Sequence, residues 1–177
     1  MVAPQTTTAY LRSASADLSI AAPVIDDGVE LWRLATESRR LDVNSRYSYL
    51  LWCRDFAATS VIARWSGAAV GFVTGYRRPA EPNTLVVWQV AVDASVRGRG
   101  VASRLLDALF DRVDGVDHLE TTITPDNEPS TRLFTAFAER RGAEIARSEL
   151  FDRSLLGAGH QPEILHRIGP IAQGRGT

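Results

Sequence analysis

Apolar and polar residues alternate from Leu18 to Ala21, and then the spacing changes. Val29, Leu31, Trp32 and Leu34 recur near a helical period behind the acidic pair Asp26-Asp27. The first pattern predicts a strand, the second a helix whose first turn carries favourable negative charge. Another helix is expected after Asn44-Ser45, with Tyr47, Leu50 and Leu51 on one face. Three strands follow in the pattern. Thr59 to Arg64 leads through the Ser66-Gly67 turn into Ala69 to Tyr76, and a looser turn from Pro79 to Asn83 leads into Thr84 to Val92. That last run is apolar at nearly every position, as a central strand covered on both faces should be.

Past Arg97 to Gly100, residues Val101, Ala102, Leu105, Leu106, Leu109 and Val113 share one side of a predicted helix. Leu119 to Thr124 reads as a strand. Pro129 to Arg141 reads as a helix with Leu133, Phe134 and Phe137 at helical spacing, ended by Gly142. Ala143 to Ala146 and Glu163 to Ile168 supply two closing strands. The expected order is β-α-α-β-β-β-α-β-α-β-β, an α/β (α+β) domain over residues 17–169. Residues 1–16, without sustained period, are expected to be disordered, and residues 170–177 to form a flexible tail.

Composition narrows the field. At 177 residues and 45% hydrophobic content the chain can bury one core without a staple. Twenty basic and 21 acidic residues leave a net charge of −1, so nothing in the balance attracts nucleic acid or an anionic membrane. No apolar run approaches the ~20 residues of a membrane span, and the lone Cys53 cannot form an intramolecular disulfide, which makes a cytoplasmic protein the default. Cys53 is expected in the core, and His118 and His166 are expected to be structural, since no Cys, His and carboxylate spacing suggests a metal site.

The candidate chemistry begins at Arg97-Gly98-Arg99-Gly100-Val101-Ala102, between a buried strand and an amphipathic helix. Glycines that let the backbone approach closely, followed by the free N–H groups of a helix start, make a cradle for an anion such as a pyrophosphate. The alternative is a glycine-rich turn with solvated arginines. Downstream, Asn127, Ser130 and Phe134 stand at intervals of three and four residues. Asn127 reads equally as an N-cap of the helix that follows.

These two stretches resemble motifs of the GCN5-related N-acetyltransferases. Arg97, Gly100 and Ala102 match the phosphate loop Gln/Arg-x-x-Gly-x-Gly/Ala, while Asn127, Ser130 and Phe134 match Asn-x-x-Ala/Ser-x-x-x-Tyr. The resemblance implies a mixed sheet splayed between its fourth and fifth strands, with acetyl-CoA as co-substrate. Backbone N–H groups of Val90, Ala91 and Val92 would face the thioester, and Gly98, Arg99 and Val101 would complete the phosphate loop. It departs at Phe134, where the family often has a tyrosine that protonates the leaving thiolate. Phenylalanine has no such proton.

Further segments, Leu41 to Leu51, Val87 to Asp93, Leu119 to Ser130 and Gly159 to Glu163, resemble the diaminobutyrate acetyltransferases of ectoine synthesis within that family. The acceptor implied is a small diamino acid acetylated on its γ-amine, and no metal is implied. A diamino acid carries two ammonium groups and one carboxylate, so its pocket should offer carboxylates, a cation or N–H donors, and an aromatic wall. Asp42, Asn44, Tyr47, Trp88, His160 and Glu163 supply such groups. Glu163, or a water held by it, is the expected base, with His160 as its competitor. Each has a plainer reading: Asp42 as a helix cap, Trp88 as core packing, Glu163 as a solvated strand residue, His160 as a loop histidine. The family resemblance also implies a homodimer. Another small amine or a polyamine as acceptor, or a CoA-binding module without catalysis, are the alternatives.

Overall fold

A computed structural model of the chain describes residues 18–157 and 159–172. The expected disordered segment, residues 1–16, and most of the expected tail, residues 173–177, lie outside the described residues. Among the described residues seven strands form one mixed sheet in the order β1-β2-β3-β4-β5-β7-β6. They are β1 (Leu18–Ala21), β2 (Val61–Trp65), β3 (Ala68–Arg78), β4 (Glu81–Val92), β5 (His118–Ile123), β6 (Ile145–Phe151) and β7 (Glu163–Ile168). The helices are α1 (Gly28–Ser38), α2 (Arg46–Asp55), α3 (Val101–Arg112), α4 (Glu128–Arg141) and the short α5 (Arg153–Leu156).

Two apolar clusters explain the layering. Leu31, Leu34 and Ala35 of α1, with Tyr49 and Cys53 of α2, pack on Ile62, Phe72 and Ala91 from one face of the sheet. Leu105, Leu106, Leu109 and Phe110 of α3, with Phe134 and Phe137 of α4, pack on Val73, Leu85, Leu119 and Ile168 from the other. Each fully buried side chain of this size contributes roughly 1.5–3 kcal/mol. The second cluster extends past residue 169 to Ile171, which is 2% exposed and donates its N–H to Asp117.

Three local features differ from the sequence-based expectation. The β3–β4 hairpin is tighter than the predicted turn from Pro79 to Asn83: Arg78 and Glu81 pair directly and form an ion pair at 3.1 Å, so Pro79-Ala80 alone connects the strands. Strand β6 starts at Ile145 and continues to Phe151, beyond the predicted Ala143–Ala146. The helix α5 stands between β6 and β7, started by Asp152, whose carboxylate accepts from the N–H groups of Ser154 and Leu155.

The feature that positions the site is the incomplete pairing of β4 with β5. These parallel strands share only Thr84 with His118, Leu85 with Leu119 and Val86 with Glu120. Beyond Val86 the strands diverge, and β5 pairs on its other side with β7 through Ile123. At the root of the opening, Glu120 is 4% exposed and is held by Arg78 at 3.1 Å and by Arg167. Glu81 completes the cluster, reaching Arg167 at 2.9 Å. A buried carboxylate persists only with such partners, and these four residues tie β3, β4, β5 and β7 together where the strands part. Just beyond, the β3–β4 register skips one residue between Val87 and Gln89, so Trp88 forms a bulge on the diverging strand.

Candidate functional site

The loop after β4 is shaped by its own carboxylate. Asp93 accepts from the hydroxyl and N–H of Ser95 at 2.6 and 2.8 Å, bonds that hold it below the ordinary carboxylate range despite partial burial. The turn leads into Gly98 and Gly100, with φ of 77° and 73°, a conformation that favours glycine. An added Cβ at either position would meet nothing within 4 Å, so the surface above the loop is open. Gly100 is the N-cap of α3, and the first N–H groups of that helix point out of the loop without helical partners. Val92, Arg97, Gly98, Gly100, Val101 and Ala102 line a depression of about 270 Å³ there. Arg99 turns aside instead, with its guanidinium 5.2 Å from the centre of the Trp65 ring.

A groove of about 180 Å³ continues from the loop between β4 and α4, lined by Val90, Ala91, Val92, Arg97, Ala102, Asn127, Ser130 and neighbours. Asn127 is the N-cap of α4, accepting from the Ser130 N–H at 3.2 Å, and it still lines the groove. The capping and binding readings of this residue are compatible. Phe134 is not brought to the groove: it is 2% exposed in the core, and its neighbour Leu133 lines the groove instead. The helical period explains this, since position 134 falls on the face of α4 that packs against the sheet.

A second cleft, about 450 Å³, opens where β4 and β5 diverge. It gathers Asp42 and Asn44 from the loop between α1 and α2, Trp88 from the bulge, and His160 and Glu163 from the approach to β7. Segments more than one hundred residues apart thus meet. Groove and cleft share Arg40, Leu41 and Asn127, so a molecule in one can touch a molecule in the other. Trp88 is 54% exposed and stacked on Trp52, ring centroids 6.2 Å apart, which leaves it as a wall and not as core packing. Asp42 caps no helix; Ser45 is the cap of α2, accepting from the Ser48 N–H. Tyr47 is 68% exposed on α2 and does not line the cleft.

Several cleft residues escape sequence reasoning. Arg40 and Asp126 add a cation and a carboxylate, so three carboxylates, one guanidinium and an imidazole now surround the space. Gln89 also lines it, and its side chain bonds the buried Tyr49. Nothing in the local sequence marks Gln89, because its role depends on a hydroxyl forty positions earlier.

The remaining titratable groups lie elsewhere. Burial, aided by the Asp27 charge, pushes the Cys53 thiol up to about 11, so it is no nucleophile at neutral pH. Burial and the Arg147 charge push His166 down, which keeps it neutral. His118 pairs with Asp117 at 2.6 Å. Among the described residues no group of three or more His, Cys, Asp or Glu could hold a metal ion, and no helix is long and apolar enough to cross a membrane.

Residues 25–138 match the family model described as the acetyltransferase (GNAT) family. The chain is 57% identical over 169 residues to the L-2,4-diaminobutyric acid acetyltransferase of Streptomyces coelicolor, covering 93% of this chain and 99% of that protein. It is 43% identical to the protein of the same name from Chromohalobacter salexigens, covering 95% and 89%. Among solved structures it resembles the diaminobutyrate acetyltransferase EctA from Paenibacillus lautus, determined in complex with its substrate L-2,4-diaminobutyric acid and coenzyme A. The TM-score is 0.86 at 35% identity, over 91% of this chain and 99% of that one.

Proposed function

The chain belongs to the acetyltransferase (GNAT) family, and we propose that it transfers an acetyl group from acetyl-CoA to the γ-amino group of L-2,4-diaminobutyrate, the acetyl step of ectoine biosynthesis. The observation that carries this reading is the meeting of an anion loop and groove with a carboxylate-rich cleft at Arg40, Leu41 and Asn127. Relatives named for that substrate match nearly the whole chain.

The residues of the groove fit a CoA thioester. The open backbone at Gly98 and Gly100 and the start of α3 suit its pyrophosphate, Arg97 adds charge, and Ala102, Asn127 and Ser130 line the path of its arm toward the cleft. When bound there it supplies an activated acetyl group. Past Val86, β4 pairs with no strand of the described residues on its β5 side. Backbone N–H groups of Val90 to Val92 on that side can donate to the carbonyl oxygen as negative charge builds on it.

The acceptor enters as an ammonium with a pKa near ~10, so at neutral pH only on the order of one molecule in a thousand is nucleophilic. A base therefore raises the rate. Glu163, or a water it holds, removes the proton; Asp42 holds the other ammonium, Trp88 walls the carbon chain, and Arg40 faces the carboxylate. This chain has no hydroxyl at position 134 to protonate the departing sulfur. An ordinary thiol pKa near ~8.5 makes that assistance less necessary than it would be for a poorer leaving group.

The reading extends to a cytoplasmic homodimer. The lone Cys53 is buried and free, in keeping with a reducing compartment, and Leu150, Phe151 and Leu155 are exposed apolar residues that a second copy would cover. A monomeric mass by sedimentation would refute the dimer. The activity is tested by thiol release from acetyl-CoA against a panel of amines. Release is expected with L-2,4-diaminobutyrate and not with polyamines. Equal release with polyamines would overturn the acceptor, and no release with any amine would overturn catalysis.

A further inference from the structure

The segment from Asp42 to Ser45 has no regular secondary structure, yet Asp42 and Asn44 line the acceptor cleft. One buried polar network holds it. Tyr49, which is 0% exposed, donates its hydroxyl to Gln89 Oε1 at 3.0 Å. Gln89 Nε2 donates to the backbone carbonyl of Asp42, also at 3.0 Å. Asn44 lies against the same Tyr49 hydroxyl through its backbone and its side chain. The directions of these bonds are set by chemistry. A carbonyl oxygen only accepts, so the Gln89 nitrogen must face Asp42, which leaves the amide oxygen to the hydroxyl. Loop, helix α2 and strand β4 are thereby tied to one another beside the bulge at Trp88.

We propose that Tyr49 and Gln89 act as a positioning clamp that sets acceptor selectivity. By fixing the carbonyl of Asp42 to β4, the pair fixes the span between the Asp42 carboxylate and the point where the thioester enters. A diamino acid one methylene longer or shorter then cannot place its ammonium and its reacting amine together. The proposal rests on the reading that Asp42 holds the non-reacting ammonium of a small diamino acid. Tyr49 and Gln89 touch no reacting atom in it. Their effect passes through the loop, and both are buried enough for a lost bond to matter, since a donor or acceptor left unpaired inside a protein is not replaced by water.

Tyr49→Phe removes the hydroxyl alone, and Gln89→Met keeps the length of the side chain without adding charge while removing both the acceptor for Tyr49 and the donor to Asp42. In either variant the KM for L-2,4-diaminobutyrate should rise about tenfold with kcat little changed, the signature of lost positioning rather than lost chemistry. The ratio of kcat/KM for diaminobutyrate over ornithine should fall about tenfold. The dissociation constant of CoA should stay within about twofold, because the groove lies outside the network. Without any substrate, amide hydrogen exchange at residues 41–45 should quicken. An unchanged ratio, or a loss of CoA affinity equal to the loss for the acceptor, overturns the clamp. If wild-type protein releases no thiol with diaminobutyrate, the substrate reading fails by itself, and exchange at residues 41–45 left at the wild-type rate then overturns the clamp separately.

Discussion

The cofactor groove draws its loop from one continuous stretch, Val90 to Ala102, whereas the acceptor cleft draws on Arg40 to Asn44, Trp88 and Gln89, and Gly159 to Glu163. The first is mostly backbone: a strand edge without a partner, two glycines and the start of α3. The second is mostly side chains, delivered by the loop after α1, the bulge of β4 and the approach to β7. Backbone geometry that grips an invariant ligand can be written in a short motif. A surface that tells one amine from another has to be assembled from parts the chain keeps far apart.

Substitutions on either side try that division. The larger effect belongs to the cleft: Glu163→Gln should lower kcat/KM for the acceptor by about a hundredfold or more, the usual weight of a general base. CoA affinity, measured by calorimetry, should not move. If His160→Ala takes the rate instead, the base is the imidazole and Glu163 only lines the pocket. The smaller effect belongs to the groove. Gly100→Val forces a β-branched residue to a φ of 73°, a strain of about 1–2 kcal/mol or more. If it is relieved by turning the loop, it should weaken CoA roughly tenfold and leave the acceptor KM at saturating CoA unchanged. A shift of both constants together in either variant would show that the two sides are one unit.

The same division decides what can be read in advance. Helix α3 is legible because Val101, Leu105, Leu106 and Leu109 repeat on one face and a full cluster awaits them. Strand β4 is legible because both its faces are covered. Strand β6 is not: six of its seven residues are exposed, so no alternation marks its course to Phe151, and α5 is four residues held by one aspartate cap. In the site, the loop from Arg97 to Ala102 declares itself by glycine spacing, but the placement of Arg99 over Trp65 does not, because it depends on a strand thirty-four positions earlier. Asp42, Trp88, His160 and Glu163 come together in the cleft, and only a family resemblance links such scattered positions beforehand. Tyr47 shares that resemblance and faces solvent, since the neighbouring Tyr49 takes the inward side of α2. Gln89 and Arg40 show the limit most clearly. Each is an ordinary polar residue until the fold supplies its neighbours.

The three residue pairs that join β4 to β5 make the sheet resemble two leaves bound along a short spine, riveted by Glu120 between two arginines. One leaf carries the whole phosphate loop; the other carries α4 and the His160 to Glu163 turn. A redesigner seeking a new amine acceptor can therefore rewrite the outer margin of the second leaf, together with the loop after α1, while leaving the first leaf's grip on its thioester as it stands.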